Sequence, residues 1–244
     1  MDADISYSGS LSPLFTPLQR ATPLFHHSPE VVAHPATMSV SGLDTSKSSA
    51  EIGTMAGTDI AYGWTRFQLH VNVAGRPRAT QLDGNRWSVF CPKFDIFFDV
   101  DNTIYISNQF PQDSCLFTST LHHEVGHAFD EYGIVVRQEE LLAADLGTLP
   151  GPDNPDIVDG RDAAQQRMQG LEEQARTFRN CAFSQACYDI ARRGFARDSR
   201  EYPTAFSECP EPRPPVPPVP DRADWAVPCT PPPQNCPRPV VPFP

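Results

Sequence analysis

Proline placement sets the first limit on how this chain can fold. Of its 27 prolines, 15 fall within the last 38 of 244 residues, Ser207 to Pro244. Proline lacks a backbone donor and fixes φ, so neither a helix interior nor a central strand can run through such a segment. Residues 207–244 therefore read as an extended tail favouring polyproline II. Residues 1–58 mix Ser, Thr, Pro, Gly and His with little periodicity and read as a flexible or loosely docked arm. What remains, 59–206, is about 150 residues, enough for a single hydrophobic core.

The formal net charge of −11, with no basic stripe to offset it, argues against nucleic acid as a partner. No run of 18 apolar residues offers a membrane span. Met1 to Pro35 lacks the basic and apolar regions of a secretory signal. Either the protein acts in the cytoplasm, or it leaves the cell by a route that needs no classical signal peptide. None of the seven cysteines forms a CxxC pair, which disfavours a cysteine-built zinc site. Cys209, Cys229 and Cys236 sit where apolar burial is hard to arrange. They hint at disulfides formed in an oxidising place, free thiols being the other option.

Within 59–206 the periodicity changes once. Phe67, Leu69, Val71 and Val73 alternate with Arg66, Gln68, His70 and Asn72, the pattern of a half-buried strand. Arg86 to Phe90 predicts another strand. Phe94 to Val100 and Thr103 to Ser107 predict a hairpin turning at Asp101-Asn102. Then Leu116, Phe117, Leu121, Val125, Ala128 and Phe129 recur at helical spacing, with Asp113 or Ser114 as the cap and Gly133 as the stop. Further helices are expected over Gln138 to Leu146 and Asp162 to Cys187, separated by a loop from Gly147 to Gly160. The fold class is α+β, a small and mainly antiparallel sheet packed on helices.

One motif in that first helix carries chemistry. His123 and His127 stand four apart, so both imidazoles project from one face and can reach one tetrahedral Zn²⁺. Glu124 stands beside them, placed to take a proton from the attacking water and return it to the leaving amine. Gly126 costs a helix interior about 1 kcal/mol relative to Ala, and a close contact at the site would explain it. His122 faces elsewhere on the helix. The HExxH pattern points to zinc-dependent hydrolysis more firmly than to any one substrate.

The stretch HEVGHAFDEYG, His123 to Gly133, resembles lethal-factor-type bacterial toxin metallopeptidases, which belong to the gluzincins. That resemblance implies a zincin-like fold, a protein or peptide substrate and a secreted effector or toxin. It also implies a third metal ligand that is a glutamate on a later helix. Glu201, in REYPTAF, is the favoured match and Glu140, in EELLAADL, the fallback. Pro203 and Ala205 depart from the family pattern. Asp130 matches the family's Asp after GHA and is expected to orient a ligating imidazole. Tyr202 and Tyr132 are the candidates for stabilising an oxyanion, Tyr202 being preferred as catalytic. The strand Thr103 to Ser107, just before the active helix, is expected to pair with an extended substrate.

A non-catalytic alternative keeps the zincin-like fold as a binding protein. Pro217, Pro220 and Arg222 have the PxxPxR spacing that docks a proline-motif-binding partner.

Overall fold

A computed structural model describes residues 29–215 and residue 236. The reading of residues 1–28 as an arm and the PxxPxR motif lie outside the described residues.

The long strand β6, Lys93–Ile106, organises the main sheet. Every second side chain along it, Phe94, Ile96, Phe98, Val100, Asn102, Ile104 and Ile106, is buried. β3, Gly63–Ala74, pairs antiparallel with one edge of β6 over its whole length. The other edge takes β1, Glu30–Ala33, and then β2, Thr37–Asp44, both parallel to it. The four-stranded sheet is therefore mixed, not mainly antiparallel. A separate three-stranded antiparallel sheet joins β4 (Arg78–Gln81), β5 (Arg86–Phe90) and β7 (Asp156–Asp159).

The expected half-buried strand is present as β3, with Phe67, Leu69, Val71 and Val73 packed on the core. The expected hairpin at Asp101-Asn102 is not a turn. Asn102 belongs to the buried row of β6 and Asp101 accepts a hydrogen bond from Ser39 on β2. The irregularity falls instead in β2, where the register shifts between Val40 and Gly42. Residues 30–56, assigned above to the arm, are part of the fold, because they supply β1, β2 and the helix α1, Ser49–Ala56. α1 is opened by a capping box between Ser48 and Glu51.

Two long helices complete the molecule. α2, Cys115–Leu146, begins at the Ser114 cap and runs straight through Gly133, absorbing the separate helix expected from Gln138. Ile134, Val135, Leu142 and Leu146 stay buried on the same stripe, and that burial outweighs the roughly 1 kcal/mol cost of one glycine. α3, Arg161–Glu201, continues 14 residues past the expected end at Cys187. A short 3-10 turn, Tyr202–Thr204, follows. Contacts between Gln138 and Asp189, Asp130 and Arg197, and His123 and Glu201 show α2 and α3 packed antiparallel.

Disulfides join Cys115 to Cys209 and Cys181 to Cys236, and Cys187 is also disulfide-bonded. Cys91 is free and buried. Residues 207–215, counted above with the tail, are thereby tied to the start of α2, and Glu211 accepts a hydrogen bond from the Cys115 N–H. No helix among the described residues is long and apolar enough to cross a membrane.

Candidate metal centre

Helical geometry puts His123 and His127 on one face of α2, and the antiparallel packing of α3 brings Asp198 against that face. The Nε2 atoms of the two histidines are 3.1 Å apart. Asp198 Oδ1 stands 2.9 Å from His123 Nε2 and 3.0 Å from His127 Nε2. All three side chains are only 12–14% exposed.

Glu201, the expected third ligand, is not on that triangle. Its Oε2 lies 2.8 Å from Nδ1 of His123, on the far side of the ring. It fixes the orientation of that imidazole from behind, which is the task expected of Asp130. Asp130 instead accepts from Arg197 Nε at 2.9 Å and faces Arg193. Arg197 passes the contact on, donating from Nη1 to Glu201 Oε1 at 2.9 Å. Asp130, Arg197, Glu201 and His123 thus form one continuous clamp between α2 and α3. Glu140 is exposed, 13 residues further along the same helix. At 1.5 Å per residue it stands roughly 20 Å from His127 and cannot share an ion with it.

Gly126 has the close contact its cost called for. A Cβ there would lie 2.5 Å from Arg197 Nη1, so the guanidinium rests directly on the glycine.

Glu124 is almost fully buried, turned toward β3. Thr65 donates to its Oε2 at 2.8 Å. Burial pushes the carboxyl pKa up, opposed by the two histidines and by the Thr65 hydroxyl. For His123, burial works to lower the pKa. The hydrogen bond that Asp198 accepts from it, the nearby Glu124 charge and Glu201 overcome that and raise it to about 9. Asp198 shows the converse: burial works to raise its pKa, and its hydrogen bonds to both histidines hold it below the usual carboxylate value.

Beside these groups opens a cleft of about 820 Å³, walled by Tyr62 and Gly63, the start of α2, Glu201, Tyr202 and residues 204–209. Tyr202 lines it, its ring 5.5 Å from that of His123. Burial and the charges of Asp198 and Glu124 raise its pKa well above the ordinary value, so the phenol keeps its proton. Tyr132 packs on the main core instead, and His122 is exposed at the cleft.

Thr103 to Tyr105 cannot receive a peptide strand, because β3 pairs with them on one side and β2 on the other. Among the described residues β3, like β1 and β2, pairs with β6 alone and so has one edge without a strand partner. A second grouping, Cys115, Cys209 and Glu211, offers no thiolate, since its cysteines are joined.

Asp198 escaped the sequence reading because the helix carrying it was expected to end at Cys187. The one available signal was its spacing: it stands three residues before Glu201, so a continuing helix presents both carboxylates on one face. No family model, curated protein or solved structure matches the chain.

Proposed function

We propose that this chain is a zinc-dependent peptidase of the zincin type, with His123, His127 and Asp198 as the metal ligands. The observation carrying this reading is the triangle of donor atoms, 2.9–3.1 Å on each side, beside a buried glutamate. Tetrahedral zinc with ligands at 2.0–2.1 Å holds them roughly 3.3 Å apart, so this donor set fits with little adjustment. Two imidazole nitrogens and one carboxylate oxygen are also a chemically suitable set. Zinc bound there would supply Lewis acidity toward water and the scissile carbonyl.

The chain's own residues do the rest. Glu124 takes the proton of the attacking water and delivers it to the leaving amine. Tyr202 keeps its phenol protonated at the cleft and donates to the developing oxyanion. Glu201 and Arg197 fix the ring of His123 from behind. The unpaired edge of β3, which begins at the cleft with Gly63, suits an extended peptide substrate. An aspartate ligand departs from the gluzincin pattern, so the likeness to toxin metallopeptidases rests on the α2 motif alone. The disulfides favour action in an oxidising compartment outside the cytoplasm.

Metal content of the purified protein tests the reading. One zinc per chain is expected, lost in His127→Ala and Asp198→Ala and weakened about tenfold or more in Glu201→Ala. Glu124→Gln should keep the metal and lose peptide cleavage. A folded wild type that takes up no zinc, or that carries iron in its place, would overturn the proposal. Zinc kept in Asp198→Ala and lost in Glu201→Ala would return the third ligand to Glu201. Unchanged function in Glu124→Gln would favour the non-catalytic binding protein.

A further inference from the structure

Two residues on the inward face of β3, Gly63 and Thr65, close on the carboxylate of Glu124. Thr65 Oγ1 lies 2.8 Å from Glu124 Oε2 and 3.0 Å from the backbone carbonyl oxygen of the same residue. A Cβ on Gly63 would lie 2.5 Å from Glu124 Oε1 and 2.6 Å from Thr120 Cγ2. Gly63 lines the cleft together with Glu124, whereas Thr65 does not. The two carboxylate oxygens are therefore unequal. Oε2 is tied back to the sheet, and Oε1 stands at the cleft wall beside a residue that has no side chain.

We infer that Thr65 is a positioning residue for the proposed reaction, holding Glu124 so that Oε1 alone handles the substrate proton. The inference rests on the peptidase reading given above. A threonine hydroxyl has one proton and here has two acceptors within reach. While Glu124 is a carboxylate, the charged Oε2 is the stronger acceptor and accepts the hydroxyl's hydrogen bond. Once Oε1 has accepted a proton from water, Oε2 is a weaker acceptor. The hydroxyl then turns to the backbone carbonyl, and no buried donor is left unpaired. Both states of the general base are thus satisfied without moving α2 or β3. Gly63 is the steric counterpart: any larger residue would displace Oε1 from the cleft wall.

The test is steady-state cleavage of a peptide library by the zinc-loaded full chain, with zinc affinity and thermal unfolding measured in parallel. Thr65→Val keeps the shape and removes the hydroxyl. It should lower kcat about tenfold or more, leaving KM and zinc affinity unchanged, because the base is misdirected while substrate and metal sites are intact. Thr65→Ser should restore most of kcat. In a Glu124→Gln background, Thr65→Val should cost nothing further. A Thr65→Val protein with wild-type kcat would overturn the inference. So would a loss of zinc affinity and stability in parallel with kcat that serine does not rescue, which marks a packing role. A wild type without zinc-dependent cleavage would instead remove the peptidase reading itself, an outcome the same assays distinguish.

Discussion

Individual buried side chains set how this molecule responds to pH. Glu139, on α2, is 6% exposed, and its Oε1 has no hydrogen-bond partner. Burial raises its pKa from 4.5 to about 7, against the opposing hydrogen bond from the Ala36 backbone. A raised carboxyl pKa means the folded state keeps a proton that the unfolded chain has already released. Stability therefore falls as pH rises from 4.5 to about 7, and this contribution is constant above that window. Glu139→Gln, neutral throughout, should be more stable than wild type by about 3 kcal/mol at pH 8. Denaturant unfolding should show the gain shrinking to nothing below pH 4.5. Equal effects of the substitution at both pH values would show that Glu139 is ionised in the fold.

Two glycines in the same helix separate intrinsic propensity from tertiary contact. Gly133 of α2 is exposed, and an added Cβ would meet nothing within 4 Å. Gly133→Ala should stabilise by about 1 kcal/mol, the ordinary difference between glycine and alanine in a helix. Gly126→Ala has the same propensity gain, but its Cβ would push the Arg197 guanidinium off Asp130 and Glu201. The arginine can yield sterically, so overall stability should change by less than about 1 kcal/mol, while zinc affinity falls severalfold as Glu201 loosens its hold on His123. Thermal unfolding and metal titration of the two variants check both halves of this contrast. The element that places the site is α3, whose last two turns supply Asp198, Arg197 and Glu201 together.

Across the whole molecule the core is divided rather than continuous. One apolar cluster fills the space between the sheet and the middle of α2 and α3. A smaller one, around Ile104, Ile106, Phe117 and Phe206, underlies the cleft. Between them on β6 stands the fully buried Asn102, with Glu131 of α2 and the Thr65–Glu124 pair also buried. Burial pushes the Glu131 carboxyl pKa well above its ordinary value. The proposed chemistry thus sits on the polar seam between two apolar masses, where α2 cannot slide without unpairing the buried Thr65 and Glu124. The disulfide from Cys115 to Cys209 closes a separation of 94 residues beside the smaller cluster and anchors the far wall of the cleft. Replacing both cysteines by serine should cost about 3 kcal/mol in denaturant unfolding, and by freeing the wall should raise KM for peptide more than it lowers kcat. A loss below about 0.5 kcal/mol would show that the rest of the fold holds the wall unaided.

What the sequence determined by itself was local. His123, Glu124 and His127 share a helical turn, so their spacing alone puts two nitrogens and a carboxylate together whatever surrounds them. The alternation from Phe67 to Val73 and the Ser114 cap are legible for the same reason, because each is set by backbone geometry over a few residues. What only the tertiary structure decided lies at long range. Asp198 is 71 residues beyond His127 and reaches it because α3 runs on past Cys187 and packs antiparallel to α2. No periodicity in the chain encodes that meeting. The same holds for the part of Glu201, which faces the back of His123 because the angle of approach, not the residue type, chooses which carboxylate meets which nitrogen. Asp101-Asn102 has the composition of a turn and lies in a strand, since burial against α2 and pairing on both edges outweigh the local preference. Short-range chemistry was written in the order of the residues, and the completion of the site was left to packing.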